Sequence, residues 1–217
     1  AAGGLALLTT GWLLRRRHTL YGLGLQGGGI GILYLVVFAA ARLYGLVPPA
    51  LALVLLVALV GLSSLLAVLQ EARTLATAGT IGGFLAPVLL STGAGSHVQL
   101  FTYYALLNTG ILAIAWFKAW RELNLVGFVC TFGIATLWGV LGYRPELFAS
   151  TEPFLLLFFL LYVAVSVLFA LRQPLDLRGL VDGPLVFGLP LVTAGLQAAL
   201  VQEFRYGLAY SALGLGL

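Results

Sequence analysis

The sequence predicts an all-α protein, a polytopic transmembrane helix bundle with about nine membrane-crossing segments. Apolar residues make up 61% of the 217 residues and charged residues 8%, where soluble domains average roughly 45–50% and about 25%. The apolar residues also form runs that approach the length of about 20 residues needed for a helix to cross a bilayer. With a mean hydropathy of +1.09, lipid is the expected surrounding for most of the chain.

The segments follow one another through short polar or charged connections. In order they are Ala1–Leu14, Gly24–Tyr44, Pro49–Leu69, Thr74–Leu90, Leu100–Phe117, Leu123–Leu141, Pro153–Leu171, Gly183–Val201 and Phe204–Leu217. Each must be helical, since a helix satisfies its own backbone hydrogen bonds in lipid. The first and last segments are short, and the sequence contains no methionine. We therefore expect residues 1–217 to be a single transmembrane region, a fragment of a larger membrane protein.

The positive charges predict an orientation. Successive loops lie on opposite sides of the membrane, and Lys and Arg favour the cytoplasmic side. Three of the eleven basic residues fall on one side: Arg42, Arg144 and Arg205. The other eight fall on the side we expect to be cytoplasmic, in the loops at Arg15–Arg17, Arg73, Lys118–Arg121 and Arg172–Arg178. This scattering between apolar runs predicts no nucleic-acid partner, and the predicted partners are the lipid bilayer and the remaining helices of the full-length protein.

Glycine and proline are predicted to interrupt the fourth and eighth segments. Interrupted helices expose backbone groups that hold substrates or ions near the midplane of transporters. Together with a polar residue in the fifth segment, these positions form a predicted substrate pathway: Gly82, Gly83, Pro87, Asn108, Gly188 and Pro190.

Helix packing is the alternative interpretation of the same residues, and the one we favour. The pairs Gly79/Gly83 and Gly27/Gly31 have the spacing that lets two helices approach closely. Proline then introduces a kink only. Asn108 would form a hydrogen bond across helices.

The connection before the seventh segment carries three charged residues, Arg144, Glu146 and Glu152. Paired carboxylates can act as acid and base, so an outer-loop site for glycan or lipid chemistry is one hypothesis. The alternative, which we favour, is that Ser150 or Thr151 caps the seventh helix. Glu152 would then lie near the positive helix end, and Pro153 would fit the first turn.

No cofactor or metal is predicted. His18 and His97 lie on opposite sides of the membrane in the predicted topology, and Cys130 is the sole cysteine. No phosphate-binding loop, nucleophile elbow or zinc-ligand spacing occurs, so an enzymatic role is disfavoured. Arg178 and Asp182, four residues apart, are expected to pair at the start of the eighth helix.

Several stretches resemble a bacterial family of multi-pass predicted membrane proteins, domain of unknown function 2339. They are Gly82–Val98, Tyr103–Ala113, Trp120–Leu125, Tyr143–Phe154 and Val181–Gly188, and the resemblance runs from about Gly27 to the end. It implies a multi-pass protein of the bacterial inner membrane that is longer than this chain. The family brings no established activity, so the resemblance implies no catalytic residue.

Three functions are compatible with these features. A transporter or flippase-like protein would use the glycine- and proline-containing segments. A membrane scaffold or assembly subunit for cell-envelope biogenesis would use the small-residue packing motifs. An envelope glycan or lipid enzyme acting through Glu146 and Glu152 with Arg144 is the least supported. The sequence specifies no oligomeric state.

Overall fold

The computed structural model describes residues 1–90, 96–118, 120–172 and 184–201. These ranges are helical and contain no strand, so the all-α prediction is confirmed. The helices in chain order are α1 Ala2–Leu14, α2 Thr19–Phe38, α3 Pro49–Gln70, α4 Arg73–Leu90, α5 His97–Phe117, α6 Arg121–Gly142, α7 Phe148–Arg172 and α8 Leu189–Leu200. A π-helical turn, Ala39–Leu43, extends α2, a 3₁₀ turn, Pro145–Leu147, precedes α7, and a second π-helical turn, Pro184–Gly188, precedes α8.

Five described helical segments have the length and composition to cross a membrane, so the predicted count of about nine is not confirmed. They are Thr19–Leu43, Ala50–Gln70, His97–Phe117, Arg121–Gly142 and Pro145–Leu171. Ala2–Leu14 and Val186–Leu200 are shorter apolar helices. The predicted ninth segment, Phe204–Leu217, and the predicted Arg178–Asp182 pair lie outside the described residues.

Two local predictions are wrong. Helix α7 begins at Phe148 rather than Pro153, because Pro145 opens a 3₁₀ turn that continues directly into the helix. Ser150 and Thr151 therefore lie within the helix and do not cap it. Helix α4 is continuous through Pro87, so the predicted interruption of the fourth segment is absent. Neighbouring helices can accommodate a proline of this kind in lipid.

The chain divides into two compact units, Ala1–Gly95 and Ser96–Leu217. In unit 1, helices α1 and α2 approach each other through glycines. A Cβ atom at Gly11 would lie 2.6 Å from the Gly22 carbonyl oxygen, and one at Gly29 would lie 2.7 Å from the Gly4 carbonyl oxygen. The beginning of α1 contacts the later part of α2, and the end of α1 contacts the beginning of α2, so the two helices are antiparallel. Gly lets the backbones come this close because it has no side chain.

The predicted close approach at Gly27 and Gly31 is wrong. Among the described residues, a Cβ at Gly31 would meet nothing within 4 Å, and one at Gly27 would meet only Leu75 at 3.8 Å. At about 100° per residue, Gly27 lies about 200° around α2 from Gly29, so it faces away from α1. Gly79 does lie in a close contact, because a Cβ there would collide with the side chain of Ser63 on α3.

Amide and phenol groups join the other helices of unit 1. The side chain of Gln26 on α2 is fully buried and exchanges two hydrogen bonds with Gln70 on α3, at 3.1 and 2.7 Å. The Tyr34 hydroxyl donates to the Gly79 carbonyl oxygen of α4 at 3.3 Å. Polar groups are thus paired between helices, as a low-dielectric surrounding requires.

The distribution of side chains is that of a protein in lipid. Buried polar residues include Gln26, Asn108 and Thr131. Large apolar residues point outward in many places, with Leu20 of unit 1 87% and Leu191 of unit 2 73% exposed. A soluble protein would bury leucine and valine. In hydrocarbon no penalty opposes their exposure, and both units have the outer surface of a transmembrane bundle.

We predict that Gly22→Ala destabilises unit 1 and that Gly24→Ala does not. The new Cβ at Gly22 would lie 2.8 Å from the Gly11 carbonyl oxygen, whereas at Gly24 it would meet nothing within 4 Å. Crowding of this kind costs about 1–3 kcal/mol. Thermal unfolding in detergent, followed by circular dichroism, measures the difference. Equal midpoints for the two variants would show that the α1–α2 contact is not this close.

Candidate functional site

A buried hydrogen-bond cluster connects three helices of unit 2. The Asn108 amide of α5 donates to Thr131 Oγ1 of α6 at 2.9 Å, and Asn108 Oδ1 accepts from the Tyr162 hydroxyl of α7 at 2.7 Å. The same amide donates to the Tyr104 carbonyl oxygen at 3.0 Å. Both polar atoms of the Asn108 side chain are thus engaged, which supports the interhelical role.

The predicted pathway residues fall in both units. Gly82, Gly83 and Pro87 lie on α4 of unit 1, and the ring of Tyr34 would be 3.3 Å from a Cβ at Gly82. In unit 2, Gly188 ends the π-helical turn beside Phe128. Pro190, the second residue of α8, is exposed.

A cavity of about 400 Å³ lies between the four described helices of unit 2, and we call it the helix-end cavity. Aromatic and small apolar side chains form most of its wall. The lining residues are Phe101, Ala135, Thr136, Trp138, Gly139, Val140, Tyr143, Thr151, Phe154, Leu155, Phe158, Leu196, Ala199 and Leu200.

Helix alternation explains where the cavity forms. Its lining comes from the beginning of α5, the end of α6, the beginning of α7 and the end of α8. These four helix ends meet at the same end of unit 2, as successive crossings in opposite directions require. The cavity therefore opens near the connection between α6 and α7.

The His97 side chain lies beside the cavity, where it joins α5 to α7. Its Nε2 lies 2.8 Å from Ser150 Oγ, and Ser150 Oγ donates to the Leu147 carbonyl oxygen at 2.9 Å. Because the serine proton is already used, His97 donates from Nε2 in this arrangement. The imidazole also lies against Trp138, with ring centroids 5.2 Å apart. His97 thus holds the beginnings of α5 and α7 beside the end of α6.

Thr151 gives the apolar wall an unpaired hydroxyl. The residue is 6% exposed, and its Oγ1 has no hydrogen-bond partner among the described residues. A buried hydroxyl without a partner costs about 1–3 kcal/mol. The oxygen is buried within the wall, so an occupant of the cavity does not contact it.

Helix α8 is tied to the rim by two hydrogen bonds. The Tyr143 hydroxyl donates to the Leu200 carbonyl oxygen at 2.7 Å, and Gln197 Nε2 donates to Glu152 Oε1 at 3.2 Å. Arg144 and Glu146 are exposed beside Tyr143. Glu152 thus has a hydrogen-bond partner in the rim, which favours a structural role for one of the two predicted carboxylates.

Burial raises the pKa of the Tyr143 phenol, and the negative charges of Glu146 and Glu152 raise it further. The phenol is therefore protonated whenever the protein is near neutral pH. In that form it can donate its hydrogen bond to Leu200, so the tie between α8 and the rim persists across the physiological range.

Sequence reasoning missed the helix-end cavity. Several of its aromatic residues lie near predicted ends of the fifth, sixth and seventh segments: Phe101, Trp138, Phe154 and Phe158. That shared position at one side of the membrane was the available signal. No group of three or more His, Cys, Asp or Glu side chains suited to a metal ion occurs within the described ranges.

Comparison with known families places the chain. Residues 1–217 match the profile of a family described as predicted membrane protein (DUF2339). The chain belongs to this family. The resemblance is confirmed, and the match begins at residue 1 rather than near Gly27. No curated protein and no solved structure matches the chain. The DUF2339 description gives a membrane location without an activity.

In this DUF2339 chain, we predict that Asn108→Leu costs about 1–3 kcal/mol, because the Thr131 and Tyr162 hydroxyls lose their shared acceptor. The double variant N108L/Y162F should be less destabilised than the sum of the single variants. Thr109→Val is the matched control, since Thr109 is exposed on α5 and its hydroxyl donates to the Ala105 carbonyl oxygen of the same helix. Unfolding in detergent measures all four variants. Additive losses would mean that the cluster does not act as a unit.

A second prediction concerns alkaline pH. Because the pKa of Tyr143 is raised in the folded protein, its stabilising contribution is complete below the ordinary value of about 10. That contribution is lost as the pH rises through the raised value. Tyr143→Phe should therefore lose less stability than the parent above pH 10. Glu146→Gln should lower the pKa of Tyr143, as followed by phenolate absorbance, whereas Glu122→Gln at the start of α6 should leave it unchanged.

Proposed function

We propose that this chain is the substrate-binding part of a transporter or flippase-like protein of the bacterial inner membrane, acting on an amphiphile with an apolar chain or ring. The helix-end cavity is the observation that carries the proposal. We also retain the orientation predicted from the loop charges, with Arg15–Arg17 in the cytoplasm and Arg144 outside.

The size and lining of the cavity support an apolar guest. Its volume of about 400 Å³ lies in the range of roughly 300–1,000 Å³ typical of small-molecule pockets. Phe101, Trp138 and Phe158 offer flat aromatic surfaces to hydrocarbon, and their edge-to-face contacts hold them in place. A charged solute would find no buried counter-ion among the lining residues, so the guest is one whose buried part is uncharged.

The polar groups near the cavity support an amphiphile rather than a pure hydrocarbon. At the rim, the exposed Arg144 and Glu146 can meet a polar head group in water. An elongated guest with a polar end would place its apolar part in the cavity and its polar end beside these two residues.

The predicted pathway residues form the second part of the proposal. A transporter needs an element that can change shape, and proline inside a helix removes one backbone hydrogen bond. Pro87 lies within α4, and a π-helical turn ends at Gly188 just before Pro190. We propose that Gly188 and Pro190, in the same unit as the cavity, let the start of α8 adjust locally as the substrate moves, while Asn108 holds α5, α6 and α7 in register. Within unit 1, Gly82, Gly83 and Pro87 would permit a separate local adjustment of α4.

A scaffold or assembly subunit of the cell envelope is the second candidate. The glycine contacts between α1 and α2, and the fully paired Asn108 cluster, favour rigid helix packing. A rigid bundle with an apolar surface suits a protein that holds other membrane proteins together. The two candidates differ in one measurable property, the movement of a solute or lipid across the membrane.

We expect Gly139→Phe to reduce transport by roughly tenfold. The phenylalanine ring would fill the cavity, so the free energy of the substrate-bound state would rise by about the cost of overpacking. Gly133→Phe is the matched control. Both glycines lie on α6, and a Cβ at either would meet nothing within 4 Å, but Gly139 lines the cavity and Gly133 does not. The assay is movement of fluorescently labelled phospholipid and lysophospholipid across liposomes that contain the purified protein.

Two results would contradict the proposal. In the first, liposomes with the parent protein move neither lipid faster than protein-free liposomes do, and stable partners are recovered from native membranes. This combination would favour the scaffold. The other is an equal reduction by Gly139→Phe and Gly133→Phe, which would remove the cavity from the transport route.

A further inference from the structure

The turn between α1 and α2 concentrates positive charge at one end of unit 1. Arg15, Arg16 and Arg17 follow one another, and the last two are exposed. The Arg15 guanidinium lies over the Trp12 ring, 3.2 Å from its centroid. Tryptophan of this kind is enriched at the level of lipid head groups. The turn therefore lies where charged head groups and its arginines can meet.

Arg73 lies at the same end of unit 1. Leu75 of α4 is beside Gly27 of α2, and further along both helices the Tyr34 hydroxyl reaches Gly79. The two helices thus run in the same direction, and Arg73, which starts α4, lies towards the start of α2. At 1.5 Å per residue it is about 10 Å in height from Thr19. We call Arg15, Arg16, Arg17 and Arg73 the basic end of unit 1.

Unit 1 has few acidic residues beside the three arginines of the α1–α2 turn. Residues 1–90 contain a single acidic residue, Glu71. The carboxyl end of α1 offsets only about half an elementary charge through its backbone dipole. Three consecutive arginines carry more positive charge than this dipole offsets.

Arginine has the chemistry to bind a phosphate group. Its planar guanidinium donates two parallel hydrogen bonds to phosphate oxygens and is more weakly hydrated than the lysine ammonium. Each basic residue next to an anionic membrane surface contributes about 1 kcal/mol of attraction. Arg16 and Arg17 are exposed at a helix end that borders the bilayer, so the nearest phosphates are those of lipids.

We propose that the basic end of unit 1 is a binding site for the head group of an anionic phospholipid. The site is separate from the helix-end cavity, which belongs to unit 2, and the proposal does not depend on transport. In it, Arg16 and Arg17 contact the phosphate, while Trp12 holds Arg15 at the head-group level and contacts the upper acyl chain. The ligand class is a phospholipid with net negative charge.

Native mass spectrometry of the full chain, released from detergent with added lipid, tests the site. We expect phosphatidylglycerol to bind more tightly than phosphatidylethanolamine. In R16Q/R17Q the affinity for phosphatidylglycerol should fall about thirtyfold, since two charges that contribute about 1 kcal/mol each are lost. Arg42→Gln is the matched control, because Arg42 is an exposed arginine near the opposite end of the α2 segment, and it should bind as the parent does.

Three outcomes would overturn the proposal. They are equal binding of the two lipids, equal loss in R42Q and R16Q/R17Q, and displacement of the lipid by millimolar inorganic phosphate, which would make the free anion the ligand. If R16Q/R17Q does not fold, the single variants R16Q and R17Q replace it, each with an expected loss of a few-fold. R16K/R17K keeps the charge and should retain more binding than R16Q/R17Q, which separates a charge effect from damage to the turn.

Discussion

The amide of Asn108 fixes the register of α5, α6 and α7, and the helix-end cavity depends on that register. An unpaired amide in an apolar interior costs several times what one paired hydrogen bond gains. The Thr131 and Tyr162 hydroxyls both bind it, so a shift of one helix by a single turn would break the whole cluster. The ends of the three helices are aligned as a result, and the cavity forms where they meet.

Unit 1 reaches a defined arrangement by a different route. Its α1–α2 contact has no side-chain hydrogen bond between the two helices among those described, and its specificity comes from shape. Gly11 and Gly22 admit the opposing backbone to a distance that any larger residue would prevent. The Gln26–Gln70 pair then fixes α3 against α2. In lipid, burial of apolar surface between helices gives no net gain in free energy. Close backbone contact and amide pairing therefore stabilise the packing of this unit.

Hydropathy alone predicted the helical class and the approximate position of the described helices, because a bilayer leaves the backbone few alternatives. The sequence-based predictions were wrong where one residue type fits two different structural roles. Pro153 suits a first helical turn, yet Pro145 takes that role and moves the helix start to Phe148. Gly27 and Gly31 have the spacing of a contact motif, but spacing does not tell which side of α2 faces α1. The position of the cavity could not be predicted, because its wall combines residues from four helices and the sequence does not specify the rotation of each helix about its axis.

The Gln26–Gln70 pair has a consequence for how the DUF2339 family diverges. Its two amides satisfy each other, so replacement of Gln70 by leucine leaves the buried Gln26 amide without this partner, whereas replacement of both by apolar residues leaves no amide unsatisfied. Selection should therefore eliminate most single changes and tolerate the double change. The two positions lie 44 residues apart in sequence. Correlated substitution at these two positions among family members would indicate that the α2–α3 contact is shared by the family.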